Sequence, residues 1–119
     1  MIEYAQKCNY NNGVADIQFE WDEAKNAANR KKHGVSFEEG SQVFRDRLYV
    51  SVKERVVDGE ERWQTFGMVA GLLLLMAAHT VREEQSDGKT IEVIRIISAR
   101  HATPKERRRY EDENSSLYA

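Results

Sequence analysis

One side of a short predicted helix carries side chains that could meet the phosphates of a nucleic acid. These side chains are Lys25, Asn29, Lys32 and His33. Spacings of four, three and one residues place all of them on the same side of a helix. A basic face of this kind can contact a phosphate backbone. A solvated helix face, with His33 placed favourably at the negative end of the helix dipole, is the simpler alternative.

Arginines in predicted strands form a second set of candidate residues, with Arg62, Arg82 and Arg100 at or near strand ends and Arg95 inside a strand. The guanidinium fork matches phosphate oxygens in geometry and charge. In the apolar segment 94–100, strand alternation sends Arg95 to one face and Ser98 and Arg100 to the other. We favour Arg100, at the strand end, over Arg95 for a functional role. The alternative is that such an arginine is held in an ion pair, for example with Glu20 or Glu60.

The residue types available for catalysis suit phosphodiester cleavage without a metal ion. Tyr110, on a predicted helix, could stack on a base or transfer a proton, although a helical tyrosine is more often a packing residue. The sequence contains no nucleotide-binding glycine loop, HExxH or GxSxG motif, and its single cysteine excludes a cysteine-based zinc site. Histidine, lysine, arginine and tyrosine fit RNA cleavage, in which a base accepts the 2′-hydroxyl proton, arginines stabilise the phosphorane and an acid protonates the leaving oxygen.

Composition limits the class of protein that can carry this chemistry. With 119 residues, of which 40% are hydrophobic and 32% charged, the chain is predicted to form one globular domain. A net charge of −2 argues against coating of nucleic acid by bulk charge, so any contact must use the local basic segments 25–33 and 95–110. The longest apolar stretch, 68–78, is too short to cross a bilayer. Because the first residues also lack a signal pattern, we expect a cytoplasmic protein without membrane contact.

Hydrophobic periodicity predicts the elements that position the candidate residues. We expect strands near 17–21, 48–53, 62–69, 72–82 and 91–100. Helices are expected at 23–33, between an Asp22 cap and Gly34, at 36–45 from a serine–glutamate capping box, and after Thr103-Pro104. The order is β-α-α-β-β-β-β-α, and the short turns between the later strands favour antiparallel pairing. Residues 1–15 are predicted to form a flexible extension, residues 16–113 the domain, and residues 114–119 a tail.

Several segments together resemble the BrnT family of bacterial type II toxins. They include Phe19-x-Trp21-Asp22-x-x-Lys25, Asn29-x-x-Lys32-His33-Gly34-Val35-x-Phe37, Glu61-Arg62, Thr80-x-Arg82, Ile94-Arg95-Ile96-Ile97-Ser98-Ala99-Arg100 and Glu106-Arg107-x-x-Tyr110. The resemblance runs from about Phe19 to Tyr110. It implies an α+β fold similar to the RelE ribonuclease toxins, with two N-terminal helices and a C-terminal helix packed on an antiparallel sheet.

The same resemblance implies an activity, partners and site residues. The activity is that of a toxin that cleaves cellular RNA without a metal ion or cofactor and inhibits growth. The expected partner is a ribbon-helix-helix (BrnA-like) antitoxin, with operator DNA bound only through the complex. The implied catalytic residues are Lys25, His33, Arg62, Arg82, Arg100 and Tyr110, and the implied RNA-binding residues are Asn29, Lys32, Arg95 and Arg107. No metal ligand is implied.

The chain departs from the family pattern at three places, and two other readings remain open. The departures are the N-terminal extension, a longer turn over 83–90, and Gly40 in place of the usual alanine, which is expected to cost about 1 kcal/mol of helix stability.

The first alternative is a non-catalytic module of the same fold that binds a partner or co-regulates transcription. The second is a structural dimer whose arginines are all in ion pairs, so that neutralising Arg100 would destabilise the fold.

Overall fold

A mixed β-sheet forms the centre of the molecule. The computed structural model describes the backbone of residues 2–8 and all atoms of residues 16–115. Within this part of the chain the strands are β1 (Ile2–Cys8), β2 (Asp16–Asp22), β3 (Val50–Val57), β4 (Glu60–Val69), β5 (Leu73–Ser86) and β6 (Lys89–His101). Their order in the sheet is β1-β2-β6-β5-β4-β3. All neighbours are antiparallel except β2 and β6, which run parallel.

Three α-helices accompany the sheet in the described residues. They are α1 (Glu23–His33), α2 (Phe37–Ser41) and α3 (Pro104–Glu113), and a 3₁₀ turn over Gln42–Arg45 continues from α2. None of them is long and apolar enough to cross a membrane. The predicted α+β class is therefore confirmed. The predicted antiparallel sheet is wrong, because the first predicted strand lies parallel to the last, and the second helix is a single short segment followed by the 3₁₀ turn.

Parts of the predicted N-terminal extension and of the predicted C-terminal tail belong to the folded domain. Part of the predicted extension, Ile2–Cys8, forms the edge strand β1 beside β2. Asn114, the first residue of the predicted tail, is buried, and its Nδ2 donates to the carbonyl oxygen of Leu48 at 3.0 Å. The remaining predictions for residues 1, 9–15 and 116–119 lie outside the described residues.

The segment predicted as a longer turn is largely paired strand. Glu83 lies opposite Glu92, and the pairing continues to Ser86 opposite Lys89. A two-residue turn closes this hairpin, with φ of 52° at Asp87 and 75° at Gly88. Positive φ at both central residues is the turn geometry that fits the right-handed twist of the flanking strands. The departure from the family pattern is therefore a longer β5–β6 hairpin.

The two faces of the sheet are covered unequally. Helices α1 and α2 and the 3₁₀ turn pack on one face, where Phe19, Trp21, Phe37, Ile94 and Ile96 are among the core residues. We call the other face the open face. There α3 contributes Tyr110 to a second cluster with Phe66, Leu74 and Met76. The polar side chains of the open face therefore lie on the part of the sheet beyond this cluster.

A register shift in β6 places three polar residues on the same face. Arg95 lies opposite Thr80, Ser98 opposite Ala78, and Arg100 opposite Met76, with the shift between His79 and Ala78. Partners across an antiparallel pair point to the same side, and the three β5 partners alternate onto the open face. The prediction that Arg95 faces away from Ser98 and Arg100 is therefore wrong. One extra residue, at Ile97, reverses the alternation, as a β-bulge does.

Gly40 is packed against β6, so replacing it with the alanine of the family pattern is expected to destabilise the protein. A Cβ at this position would lie 2.8 Å from Cβ of Ala99. Alanine gains about 1 kcal/mol of helix propensity, whereas overpacking a tight core costs about 1–3 kcal/mol. We expect Gly40→Ala to lower the free energy of unfolding by about 1 kcal/mol, measured by urea denaturation.

A double-mutant cycle separates the packing cost from helix propensity. In Gly40→Ala combined with Ala99→Gly, the second change removes the methyl group that the new Cβ meets. The double variant should therefore be more stable than the sum of the two single effects by at least about 1 kcal/mol. A Gly40→Ala protein more stable than the wild type would contradict this account.

Candidate active site

Three cationic side chains from three different elements line one small pocket. Lys25 comes from the first turn of α1, Arg62 from β4 and Arg95 from β6. The pocket has a volume of about 110 Å³, and its other lining residues are Asp22, Ile96 and Ile97. The parallel pairing of β2 with β6 ends at Glu20 opposite Arg95. The pocket therefore lies where β2 separates from β6 and leaves the edge of β6 uncovered.

Asp22 fixes the chain at the point where it turns from β2 into α1. Its Oδ1 accepts hydrogen bonds from the backbone N–H groups of Ala24 at 2.9 Å and Lys25 at 3.2 Å. An aspartate in this position satisfies backbone donors that the helix leaves unpaired. The hydrogen bond from the Lys25 N–H is the main cause that lowers the pKa of Asp22. The cap therefore holds both an ionised carboxylate and Lys25 at the pocket.

Strands β4 and β6 bring the two arginines to either side of β5. Thr80 on β5 lies opposite Arg95, and the neighbouring pair is Trp63 opposite His79, next to Arg62. Thr80 is buried between them. The strand register therefore sets the spacing of the two guanidinium groups.

The positive charge of the pocket is only partly compensated within the described structure. Glu60 Oε1 lies 3.2 Å from Nη2 of Arg95 and 4.0 Å from Nε of Arg62. That Arg62 Nε atom is buried and has no hydrogen-bond partner among the described residues. A buried donor without an acceptor costs about 1–3 kcal/mol, and more when the group is charged. A phosphate that contacts the exposed part of this guanidinium group would supply acceptors of the matching charge and geometry.

Two of the predicted catalytic arginines are instead bound to carboxylates. Arg82 pairs with the buried Glu20 and, at 2.9 Å, with Glu84, and the Glu20 hydrogen bond raises the pKa of Arg82. Arg100 makes two hydrogen bonds to Glu106, at 2.8 and 3.0 Å, which join β6 to α3. The structure thus places Arg95, and not Arg100, among the residues that line the pocket. The ion-pair alternative describes the contacts of Arg82 and Arg100, and Arg95 also pairs with Glu60, so the catalytic role of each arginine stays a prediction.

Tyr110 and Arg107 lie at a different cavity. They line an open space of about 370 Å³ together with Met68 and Glu111. The Tyr110 hydroxyl donates to Asp46 Oδ2, and the same oxygen accepts from the Met68 N–H at 2.8 Å. Tyr110 therefore anchors α3 to the sheet, and the structure does not bring it to the pocket of Lys25, Arg62 and Arg95.

The residues of the predicted basic face of α1 have different surroundings and do not form one site. His33 lies eight residues after Lys25, about 12 Å along the helix axis, so the two side chains do not line the same small pocket. Asn29 Nδ2 donates to the carbonyl oxygens of Val35 at 2.8 Å and Ala99 at 2.7 Å, and its Oδ1 accepts from the Ala99 N–H at 3.3 Å. Asn29 therefore joins α1 to the edge of β6 that β2 does not cover. RNA contacts by Lys32 and His33 stay predictions.

Sequence reasoning missed one acidic residue of the pocket. Asp22 was predicted only as a helix cap, although it lines the pocket beside Lys25. The signal was present in the sequence, because residues three apart across a helix start lie on the same side. A capping role explained Asp22 fully, and so no second role was assigned to it.

Comparison with known proteins identifies the family. Residues 21–106 match the family model described as "Ribonuclease toxin, BrnT, of type II toxin-antitoxin system". Among solved structures, the Brucella abortus ribonuclease toxin BrnT is 21% identical, with a TM-score of 0.46, over 70% of this chain and 92% of that chain. No curated protein matches the chain. Because the family match spans most of the chain and includes all the lining residues of the pocket, the chain belongs to the BrnT family of ribonuclease toxins of type II toxin–antitoxin systems.

Proposed function

We propose that this protein is an endoribonuclease that cleaves cellular RNA without a metal ion, using the 2′-hydroxyl of the substrate as nucleophile. The observation that carries the proposal is the pocket in which Lys25, Arg62 and Arg95 converge and the buried Arg62 Nε lacks an acceptor. Family membership supports RNA as the substrate. We place the activity in the cytoplasm, where cellular RNA is found.

The size and charge of the pocket support phosphate binding. A volume of about 110 Å³ is large enough for a phosphate group. During transesterification, negative charge builds up on the oxygens of the phosphorane. Donors that are already in place stabilise such charge without reorganisation, and removing one typically costs about 10²–10³ in rate. Arg62 and Arg95 supply these donors, in the role that a metal ion fills in other nucleases.

The direct test is cleavage by the purified protein in EDTA. We expect a labelled RNA to yield fragments ending in a 2′,3′-cyclic phosphate and a 5′-hydroxyl, the products of attack by the 2′-hydroxyl. A 2′-O-methyl RNA of the same sequence should bind without being cut. Intact RNA in the presence of folded protein, together with tight binding of a partner protein, would favour the non-catalytic module instead.

We further propose that a ribbon-helix-helix antitoxin neutralises the toxin and that operator DNA is bound only through their complex. Membership of a type II toxin–antitoxin family supports a protein partner. Induction of the chain alone should arrest growth with loss of RNA, and co-expression of the neighbouring reading frame should restore growth. Growth arrest that this reading frame leaves unchanged would contradict the proposed pairing.

Glu60 is expected to weaken RNA binding, because its carboxylate offsets the charge of two pocket arginines. We expect Glu60→Gln to bind 2′-O-methyl RNA about five-fold more tightly at low salt. This corresponds to about 1 kcal/mol, a modest value because the Glu60 side chain is 46% exposed and therefore screened. Fluorescence anisotropy with a labelled oligonucleotide measures the change.

Glu61→Gln is the matched control for this prediction. Glu61 is the next residue of the same hairpin, has a similar exposure and pairs with Lys53 rather than with a pocket residue. Both variants lose one negative charge, so a change in net charge alone would strengthen binding equally. Equal affinities for the two variants would show that Glu60 has no specific effect on the pocket.

A further inference from the structure

We propose that Asp22 is the general base and Lys25 the general acid of RNA cleavage in this pocket. The inference rests on the proposed function and assigns the proton transfers that it requires. Phosphate binding by Arg62 and Arg95 leaves two tasks open: removal of the 2′-hydroxyl proton and protonation of the leaving 5′-oxygen.

The pocket contains one group suited to each task. Asp22 contributes the only carboxylate among the lining residues, and Lys25 contributes the only cation that exchanges a proton readily. The guanidinium groups of Arg62 and Arg95 stay protonated in proteins and do not serve as proton donors or acceptors. None of the lining residues is a histidine or a tyrosine. The two proton-transfer roles therefore fall to Asp22 and Lys25.

The helix start holds this pair in a defined arrangement. The hydrogen bonds from Ala24 N–H and Lys25 N–H to Asp22 Oδ1 tie the carboxylate to the same turn that carries the Lys25 side chain. A short side chain with two anchoring bonds loses little further freedom when substrate binds. The same bonds lower the pKa of Asp22, so the group carries the negative charge that a general base needs. The geometry of the helix start therefore places an ionised carboxylate next to Lys25 in the pocket.

The reaction balances without water or a redox partner. The carboxylate of Asp22 accepts the 2′-hydroxyl proton as the 2′-oxygen forms a bond to phosphorus. The bond from phosphorus to the 5′-oxygen breaks, and its electron pair stays on that oxygen. The Lys25 ammonium group gives its proton to the 5′-oxygen, so the products are a 2′,3′-cyclic phosphate and a 5′-hydroxyl. Exchange with solvent then returns Asp22 to the carboxylate and Lys25 to the ammonium form.

Asp22→Asn separates catalysis from helix capping. Asparagine is as good an N-cap as aspartate, so the fold and the position of α1 should be kept. We expect cleavage to fall about 10²–10⁴-fold, the usual contribution of general acid–base catalysis. Affinity for 2′-O-methyl RNA should stay equal or increase, because a negative charge beside the phosphate is removed. Asp16→Asn, at the other end of β2 and outside the pocket, is the matched control and should cleave like the wild type.

A modified substrate separates the acid from the base. RNA with sulfur in place of the bridging 5′-oxygen has a leaving group that departs without a proton. Lys25→Ala should cleave ordinary RNA slowly and recover most of its rate on this substrate. Asp22→Asn should be slow on both substrates, because its defect lies in activation of the 2′-hydroxyl.

The outcomes distinguish this inference from the proposed function. If the wild type cleaves RNA and Asp22→Asn cleaves equally fast, Asp22 is only a cap and the assignment of the base is wrong. If Lys25→Ala stays slow on the sulfur substrate, Lys25 binds phosphate and is not the acid. If the folded wild type cleaves neither substrate, the proposed function itself fails, and the inference fails with it.

Discussion

Arg62→Gln is expected to lower RNA cleavage about 10²–10³-fold while leaving the protein at least as stable as the wild type. The guanidinium group lines the pocket, its Nε is buried without an acceptor among the described residues, and its nearest carboxylate, on Glu60, is 4.0 Å away. Removal of an unsatisfied buried donor relieves a cost rather than breaking a bond. Single-turnover cleavage and urea denaturation of the same preparations measure the two effects.

Variants of two other arginines serve as controls for Arg62→Gln. Arg55 lies opposite Arg62 on β3 but is outside the pocket and largely exposed, so Arg55→Gln should keep full activity. Arg100→Gln should destabilise the protein, because it breaks two hydrogen bonds to Glu106 and leaves that carboxylate unpaired. A loss of stability in Arg62→Gln as large as that in Arg100→Gln would favour the reading in which all arginines are structural.

The wild type is expected to lose about 3 kcal/mol of stability between pH 6.5 and pH 4 through His79 alone. This side chain is 3% exposed, its Nε2 lies 2.7 Å from the Thr65 hydroxyl, and its ring lies edge-on against Phe44. Burial lowers the pKa of His79 from 6.5 to about 4. Between these values the unfolded chain binds the proton and the folded protein does not, so acid favours unfolding. The stabilisation is complete above pH 6.5 and is lost as the pH falls towards 4.

Comparison with His79→Gln isolates this contribution. The variant lacks the imidazole, so its free energy of unfolding should vary less between pH 7 and pH 4.5, although it starts from a lower value. Carboxylates that titrate in the same interval contribute equally to both proteins and cancel in the difference. His101→Gln, at an exposed position, should follow the wild-type curve. Parallel curves for wild type and His79→Gln would show that His79 is not the source of the pH dependence.

Local features of the fold could be predicted because local chemistry determines them. The Asp22 cap and the left-handed Gly34 at the end of α1 are both found, as is the capping box at Ser36. The later strands follow one another through short turns, so their antiparallel pairing was also predictable. The parallel pairing of β2 with β6 was not, because no short connection links those strands and only the tertiary fold brings them together.

The types of residue in the candidate site could be predicted from the sequence, but which of those residues lie together could not. The arginines and Lys25 were identified from their charge, yet the extra residue at Ile97 puts Arg95 on the same face of β6 as Arg100, which strand alternation does not predict. Charge alone could not separate Arg95, which lines the pocket, from Arg100, which is held by Glu106. Likewise, a polar residue on a helix face is expected to meet solvent, whereas Asn29 binds the edge of β6 that β2 leaves uncovered. Each of these assignments depends on contacts between segments distant in the sequence.

The parallel pairing of β2 with β6 also has a consequence during synthesis on the ribosome. Asp22 and Lys25 leave the ribosome early, but β6, which carries Arg95, is the last described strand of the sheet to be made. A growing chain that has not yet released β6 therefore lacks the pocket, and so does any fragment that stops before it. The translation machinery is thus not exposed to a finished pocket until nearly the whole described domain has been produced.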